Sequence, residues 1–147
     1  MPKPIYIING PNLNLLGQRE PEIYGAQTLA DIQNMCGDHA KTLGFDIVFM
    51  QSNIEGELVD ALQAAGAGGS AVVINPAAYT HTSVALYDAI KAIDIPVIEV
   101  HLSQPHSREP FRVTSYVSAA AKATISGMGA QSYILGLEAA AHALKNA

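Results

Sequence analysis

Glu99, His101 and Ser103 stand two residues apart, so a strand across them would carry a carboxylate, an imidazole and a hydroxyl along one face. Three polar side chains in an apolar run need more partners than a core normally supplies. A catalytic account is economical. Glu99 would orient and charge His101, and a carboxylate-bound histidine is a ready general acid near neutral pH. A satisfied core histidine is the competing account. The arginines are distributed just as unevenly. Arg19, Arg108 and Arg112 fall in two segments that follow expected strands, while the lysines sit elsewhere. Tyr24 shares the first segment with Arg19. A phenol, with a reference pKa of about 10, is a poor base at neutral pH unless cations stabilise its anion. A downward shift of two units requires about 2.7 kcal/mol, which one or two guanidinium groups in a water-excluded site can provide. Arginine suits this because its charge persists and its fork grips an oxyanion or a carboxylate from two directions.

Other polar groups cluster in the same kind of place. In INPAAYTHTS, residues 74–83, Asn75 ends an apolar run and is followed by Tyr79, His81 and two hydroxyls at a helix start. Helix starts attract anions, although Thr82 and Ser83 are equally suited to capping. His81 could bind a ligand or serve in the cap. Asp88, farther along that helix, reads from spacing alone as a solvated surface residue. In SNIEGELVD, residues 52–60, Glu55 and Glu57 match a helix dipole better than they match a catalytic pair. GMGAQS, residues 127–132, opens like a dinucleotide fingerprint but has Ser132 at the third glycine position. His81, His101 and His106 fit no zinc-ligand spacing, and a single cysteine offers no thiolate pair, so no metal is expected.

The elements that must position these groups are legible as periodicities. Ile5 to Ile8, Phe45 to Met50, Ala71 to Ile74 and Pro96 to Leu102 are short, β-branched apolar runs of the kind found in buried parallel strands. A fifth short strand is expected near Thr124 to Ser126. Thr28 can cap a helix bearing Leu29, Ile32, Cys36, Ala40 and Leu43 on one face and stopping at Gly44. Leu58, Leu62 and Ala65 mark a second helix before Gly66. Val84, Tyr87 and Ile90 mark a third that begins near Thr82 or Ser83, and a last one runs from about Gln131 to Leu144. Alternating strands and helices with right-handed crossovers give a doubly wound parallel sheet of five strands with helices on both faces, in flavodoxin-like order. Ligands of such sheets bind beyond the carboxyl ends of the strands. Asn9-Gly10-Pro11-Asn12, Ser52-Asn53, Asn75-Pro76 and the run from Glu99 to Ser103 should therefore converge. Residues 10–25 form a connection long enough to act as a hinged lid.

Composition narrows the classes. A chain of 147 residues with 49% hydrophobic content fits one domain spanning residues 1–147. A net charge of −5 without a basic run argues against nucleic acid as a partner. Apolar stretches of five or six residues are too short for a membrane span, and the first ten residues lack the pattern of an export signal. Cys36, the lone cysteine, suits a reducing cytoplasm and a place in the core.

Taken in order and spacing, GPNLNLLGQREPEIYG, SNIEGELVD, INPAAYTHTS and EVHLSQPHSREPFR resemble the type II 3-dehydroquinate dehydratases along the whole chain. The resemblance implies a flavodoxin-like hydro-lyase that converts 3-dehydroquinate to 3-dehydroshikimate without a cofactor, a step used in both aromatic biosynthesis and quinate breakdown. By resemblance Tyr24 is the base, Arg19 and Arg108 are its activators, and His101, supported by Glu99, is the general acid. Asn12 would help hold the water or oxyanion that stabilises an enolate. Asn75, His81, Ser103 and Arg112 resemble substrate-binding residues, with the Leu102 and Ser103 amides facing a carboxylate. Asp88 resembles a residue supplied across a subunit boundary, which implies trimers assembled into a dodecamer. Gln104, Val113, Thr114, Gln131 and Ser132 depart from the family's usual residues. A non-enzymatic flavodoxin-like module that binds FMN is the rival, but the Ser/Thr-rich phosphate loop it would need is replaced by GPNLNLLG.

Overall fold

The apolar runs become strands in the computed structural model, which describes residues 2–18, 22 and 27–146. They are β1 (Ile5–Asn9), β2 (Ile47–Gln51), β3 (Ala71–Asn75), β4 (Val97–His101) and β5 (Ala123–Ser126). All neighbours pair in parallel, in the order β2-β1-β3-β4-β5. This is the flavodoxin-like order expected from the alternation. β3 and β4 are buried along their whole length, as central strands covered on both faces must be. β2 and β5, at the edges, are largely half-buried or exposed.

Helices α1 (Leu29–Thr42) and α5 (Gln131–Lys145) cover one face, and α2 (Glu55–Gly68), α3 (Val84–Lys91) and α4 (Tyr116–Ala120) cover the other. Side-chain alternation along the strands explains the division. Ile5 and Ile7 meet Ile32, Cys36 and Ala40 of α1 and Leu137 of α5, whereas Ile8 meets Leu58, Leu62 and Leu86 from the opposite layer. Each such Leu or Ile contributes about 1.5–3 kcal/mol when fully buried. Cys36 lies in the core, where burial pushes its thiol up to about 12.

Helix ends follow the capping chemistry. Thr28 accepts from the Asp31 amide at 3.1 Å while Asp31 accepts from the Thr28 amide at 3.0 Å, closing a reciprocal cap on α1. Ser83, not Thr82, caps α3 by accepting from the Leu86 amide at 2.9 Å. Two expectations need correction. α2 does not stop before Gly66 but continues to Gly68. A side chain at Gly66 would come within 2.5 Å of Ile93, so this glycine serves close packing and does not end the helix. On α3 the packed stripe is Leu86, Ala89 and Ile90, whereas Val84 is 54% exposed. Adjacent stripes of an apolar helix have the same period, and only the sheet beneath chooses between them. Among the described residues no helix is long and apolar enough to cross a membrane.

Candidate active site

The carboxyl ends of the strands meet as the topology requires. Asn9 is in register with Gln51 on one side and Asn75 on the other, so three amide side chains end three adjacent strands. Two loops then come into contact. The Gly10 amide donates to the Asn75 carbonyl at 2.8 Å, and a Cβ on Gly10 would lie 2.5 Å from the Pro76 carbonyl oxygen. Only glycine permits that approach. Asn12 takes the left-handed conformation, φ +69°, which asparagine tolerates, and its amide donates to Asn53 Oδ1 at 2.9 Å. Gln51 Nε2 bridges Asn53 Oδ1 and the Gly10 carbonyl, each at 3.1 Å, and the Tyr79 hydroxyl donates to the Asn53 carbonyl at 2.7 Å. Gln51, Asn53 and Tyr79 thus fix the shape of the loop carrying Asn12. Ala77 also has a positive φ, +52°, and its amide donates to Asn75 Oδ1 at 3.1 Å. Such strain in a residue with a Cβ costs about 1–3 kcal/mol and persists where neighbours hold it.

These loops enclose a cavity lined by Asn12, Asn75, His81, His101, Leu102, Ser103, Arg108 and Arg112, with Leu13, Leu16 and Ala77 among its apolar wall. Nine of the twelve residues singled out from sequence are thereby accounted for by the cavity lining and by Glu99, which stands behind it. Arg19 and Tyr24 lie outside the described residues. Asp88 sits exposed on α3 and does not line this cavity. Among its described lining residues are two arginines and two histidines but no carboxylate, so a chain of net charge −5 concentrates positive charge here. The cavity suits an anion.

Glu99 and His101 share one face of β4. Nε2 of His101 donates to Glu99 Oε2 at 2.5 Å, leaving Nδ1 as the other ring nitrogen. Glu99 is fully buried and also accepts from Thr80 Oγ1 at 2.6 Å, from Ser118 Oγ and from Thr124 Oγ1 at 3.2 Å, with Ser115 Oγ standing 3.4 Å from Oε2. Burial alone would push its carboxyl up. The hydrogen bond and charge of His101, then the Ser118 and Thr80 hydroxyls, outweigh burial and hold it down at about 2. The sequence showed that a buried Glu99 needs donors but not which ones, since Thr80, Ser118 and Thr124 arrive from three other elements.

His81 is oriented by the backbone of the neighbouring turn. Its Nδ1–H donates to the Thr114 carbonyl at 2.7 Å, leaving Nε2 as the other ring nitrogen. Burial holds its pKa below the usual histidine value, the Thr114 bond opposes, and Arg112 and His101 push it lower. Arg112 Nε donates to Glu109 Oε2 at 2.5 Å, its guanidinium lies 5.2 Å from the Phe111 ring centroid, and Arg108 Nε stands 3.9 Å from the same Glu109 oxygen. One exposed carboxylate therefore steadies two cavity cations. Leu102 and Ser103 are held from behind: the His101 and Leu102 carbonyls accept from the Gly127 amide at 3.3 Å and the Gly129 amide at 2.9 Å.

Gln104, Val113, Thr114, Gln131 and Ser132, the departures noted in the sequence, are not among the described lining residues of the cavity. Gln104 Oε1 accepts from Ser126 Oγ at 3.1 Å, Ser132 Oγ accepts from the Met128 amide at 3.1 Å, and Thr114 contributes a backbone carbonyl. His106 is exposed on the turn after β4 and is not among the described lining residues. Among the described residues no three His, Cys, Asp or Glu side chains are grouped to hold a metal ion.

Comparison with known proteins agrees with this geometry. The family model described as dehydroquinase class II matches residues 3–141. The 3-dehydroquinate dehydratase of Maricaulis maris is 58% identical over 146 residues, covering 99% of this chain and all of that one. That of Phenylobacterium zucineum is 60% identical, covering 96% and 97%. The type II dehydroquinase structure from Propionibacterium acnes superposes with a TM-score of 0.92 at 40% identity, covering 97% of this chain and 98% of that one. The chain belongs to the class II dehydroquinase family.

Proposed function

We propose that this chain dehydrates 3-dehydroquinate to 3-dehydroshikimate by stepwise elimination, with Tyr24 as base and His101 as general acid. The Tyr24 phenolate, its anion offset by Arg19 and Arg108, removes a proton next to the C3 ketone. The electron pair moves onto the ketone oxygen as an enolate, stabilised by a water or amide held through Asn12. His101 Nδ1–H then protonates the C1 hydroxyl, the C–O bond breaks, and water departs as the enolate collapses to the conjugated enone. Glu99 keeps the imidazole aimed and offsets its charge. Arg112, His81, Asn75 and Ser103 bind the ring hydroxyls and the carboxylate, the latter with the Leu102 and Ser103 amides. Residues 1–147 form one catalytic unit in a cytoplasmic homo-oligomer, a dodecamer of four trimers, in which Asp88 reaches a neighbouring site.

The observation that carries this reading is the Glu99–His101 pair on a cavity wall that also presents Arg108 and Arg112. The test is ultraviolet absorbance over time with purified protein and 3-dehydroquinate in chelating buffer, since dehydration creates a conjugated enone. Rapid growth is expected from the native chain. Tyr24→Phe should bind substrate but lose turnover by at least a hundredfold. Near-normal turnover in that variant would reject the base assignment, and no growth from the folded native protein would make it a binding module.

A further inference from the structure

We propose that Thr80, Ser118 and Thr124 are positioning residues that hold Glu99 as a carboxylate and thereby fix which nitrogen of His101 faces the cavity. The idea rests on the reading of His101 as general acid, but its physical basis is separate. An ionised carboxylate has about four lone-pair sites and no proton to give. Here Oε2 accepts from His101 and Thr80, and Oε1 accepts from Ser118 and, at 3.2 Å, from Thr124, whose Oγ1 also lies 3.3 Å from Ser118 Oγ. Every site has a donor.

Donor accounting makes the arrangement directional. The single Thr80 proton goes to Glu99 at 2.6 Å, so in the 2.6 Å contact between Thr80 and Ser115 the serine donates. Ser115 Oγ in turn accepts from the Ser118 amide at 3.0 Å as the cap of α4. The short helix is therefore tied to the carboxylate at Ser118 and through the Ser115–Thr80 pair. A protonated Glu99 would point an O–H into a shell of four donors, and because Glu99 is fully buried, one of the hydroxyls would have to turn from donating to accepting. The ionised form is selected, and His101 Nε2 must then carry hydrogen toward it.

Among the described residues, the charged and titratable groups around the pair are few. His101 lies on β4 itself. His81 ends the turn that carries Thr80, and Arg112 lies near His81. β5 and α4 face Glu99 with the Thr124 and Ser118 hydroxyls. Removing hydroxyl donors leaves the His101 charge in place but makes the carboxylate easier to protonate.

The test uses Ser118→Ala with Thr124→Val, which strips Oε1 of its donors, and Thr80→Val for Oε2. The Glu99 side-chain carboxyl is followed by carbon NMR against pH without substrate, and kcat/KM is followed against pH. The carboxyl midpoint should rise by at least one pH unit, a tenfold gain in proton affinity, and the alkaline limb of kcat/KM, which reports the general acid, should move to higher pH because a carboxylate stripped of hydroxyl donors holds the His101 proton more tightly. Ser118→Thr should behave as the native chain. If Ser118→Ala/Thr124→Val fails to fold, Thr124→Val alone, on an edge strand, gives the same measurement with a smaller shift. An unchanged carboxyl midpoint in the folded variants overturns the proposal, whatever the activity. A shifted midpoint with a fixed alkaline limb supports the cradle and rejects His101 as the acid. An equal loss of activity at all pH values, with no shift, marks a merely structural role and also overturns it.

Discussion

Asn75 donates through Nδ2 to the Tyr133 hydroxyl at 3.0 Å, and this bond decides how a cavity residue presents its amide. Asn9 spends Nδ2 on the Met50 carbonyl at 3.0 Å, so its Oδ1 must accept, and the Tyr133 O–H donates there at 2.6 Å. Tyr133 has no second proton and can only accept from Asn75, whose Oδ1 takes the Ala77 amide. Asn9, Asn75 and Tyr133 are all buried, which leaves no solvent to soften the choice. Burial pushes the Tyr133 phenol well above the ordinary tyrosine value, so it stays a donor.

Tyr133→Phe should therefore act at a distance from the ligand. It removes the partner of Asn9 Oδ1 and of Asn75 Nδ2 while keeping the ring. Each unsatisfied buried group costs about 1–3 kcal/mol, so a stability loss of about 2–4 kcal/mol is expected in urea unfolding. KM should rise severalfold with a smaller change in kcat, because Asn75 is placed to bind and not to transfer protons. Native stability and KM in this variant would reject the network as a positioning device.

The Glu99 carboxyl gives a pH dependence with a definite sign. Its pKa falls from 4.5 to about 2 on folding, so between these values the unfolded chain binds more protons than the folded one. The resulting stability is present above about pH 4.5 and is lost as pH falls toward 2. Its size is on the order of 3 kcal/mol. Glu99→Gln should flatten that part of the curve, measured as urea midpoints at pH 3 and pH 6. A native-like slope in the variant would assign the acid sensitivity to other groups.

The strands, their order and the end of the sheet that carries the polar loops follow from local patterns, because buried parallel strands are continuous apolar runs and the alternation admits few topologies. Glu99, His101 and the cavity arginines were visible for a related reason: charge in an apolar run or in a post-strand loop is costly without a task. Thr80, Ser118, Thr124 and Tyr133 were not. Each looks locally like a cap, a surface hydroxyl or a core aromatic, and its partner is set by strand register or by a helix from elsewhere in the chain. The α3 stripe failed similarly, since Val84 and Leu86 have equal claim to the core until the sheet beneath is known.

That misjudged stripe bears on Asp88. Val84 and Asp88 are one turn apart on α3, both exposed, and this outer face combines an apolar side chain with a carboxylate away from the chain's own cavity. A neighbouring subunit that covered the face would bring Asp88 toward another site. Complementation tests this directly. Asp88→Ala should raise KM about tenfold or more, and Tyr24→Phe should lack turnover. In oligomers reassembled from a mixture, a subunit with native Tyr24 meets a neighbour with native Asp88, and some sites become whole. Activity of the mixture at low substrate should exceed the sum of the separate variants several times over. A purely additive result, with mixed oligomers confirmed by native mass spectrometry, would confine Asp88 to its own chain and remove the shared site.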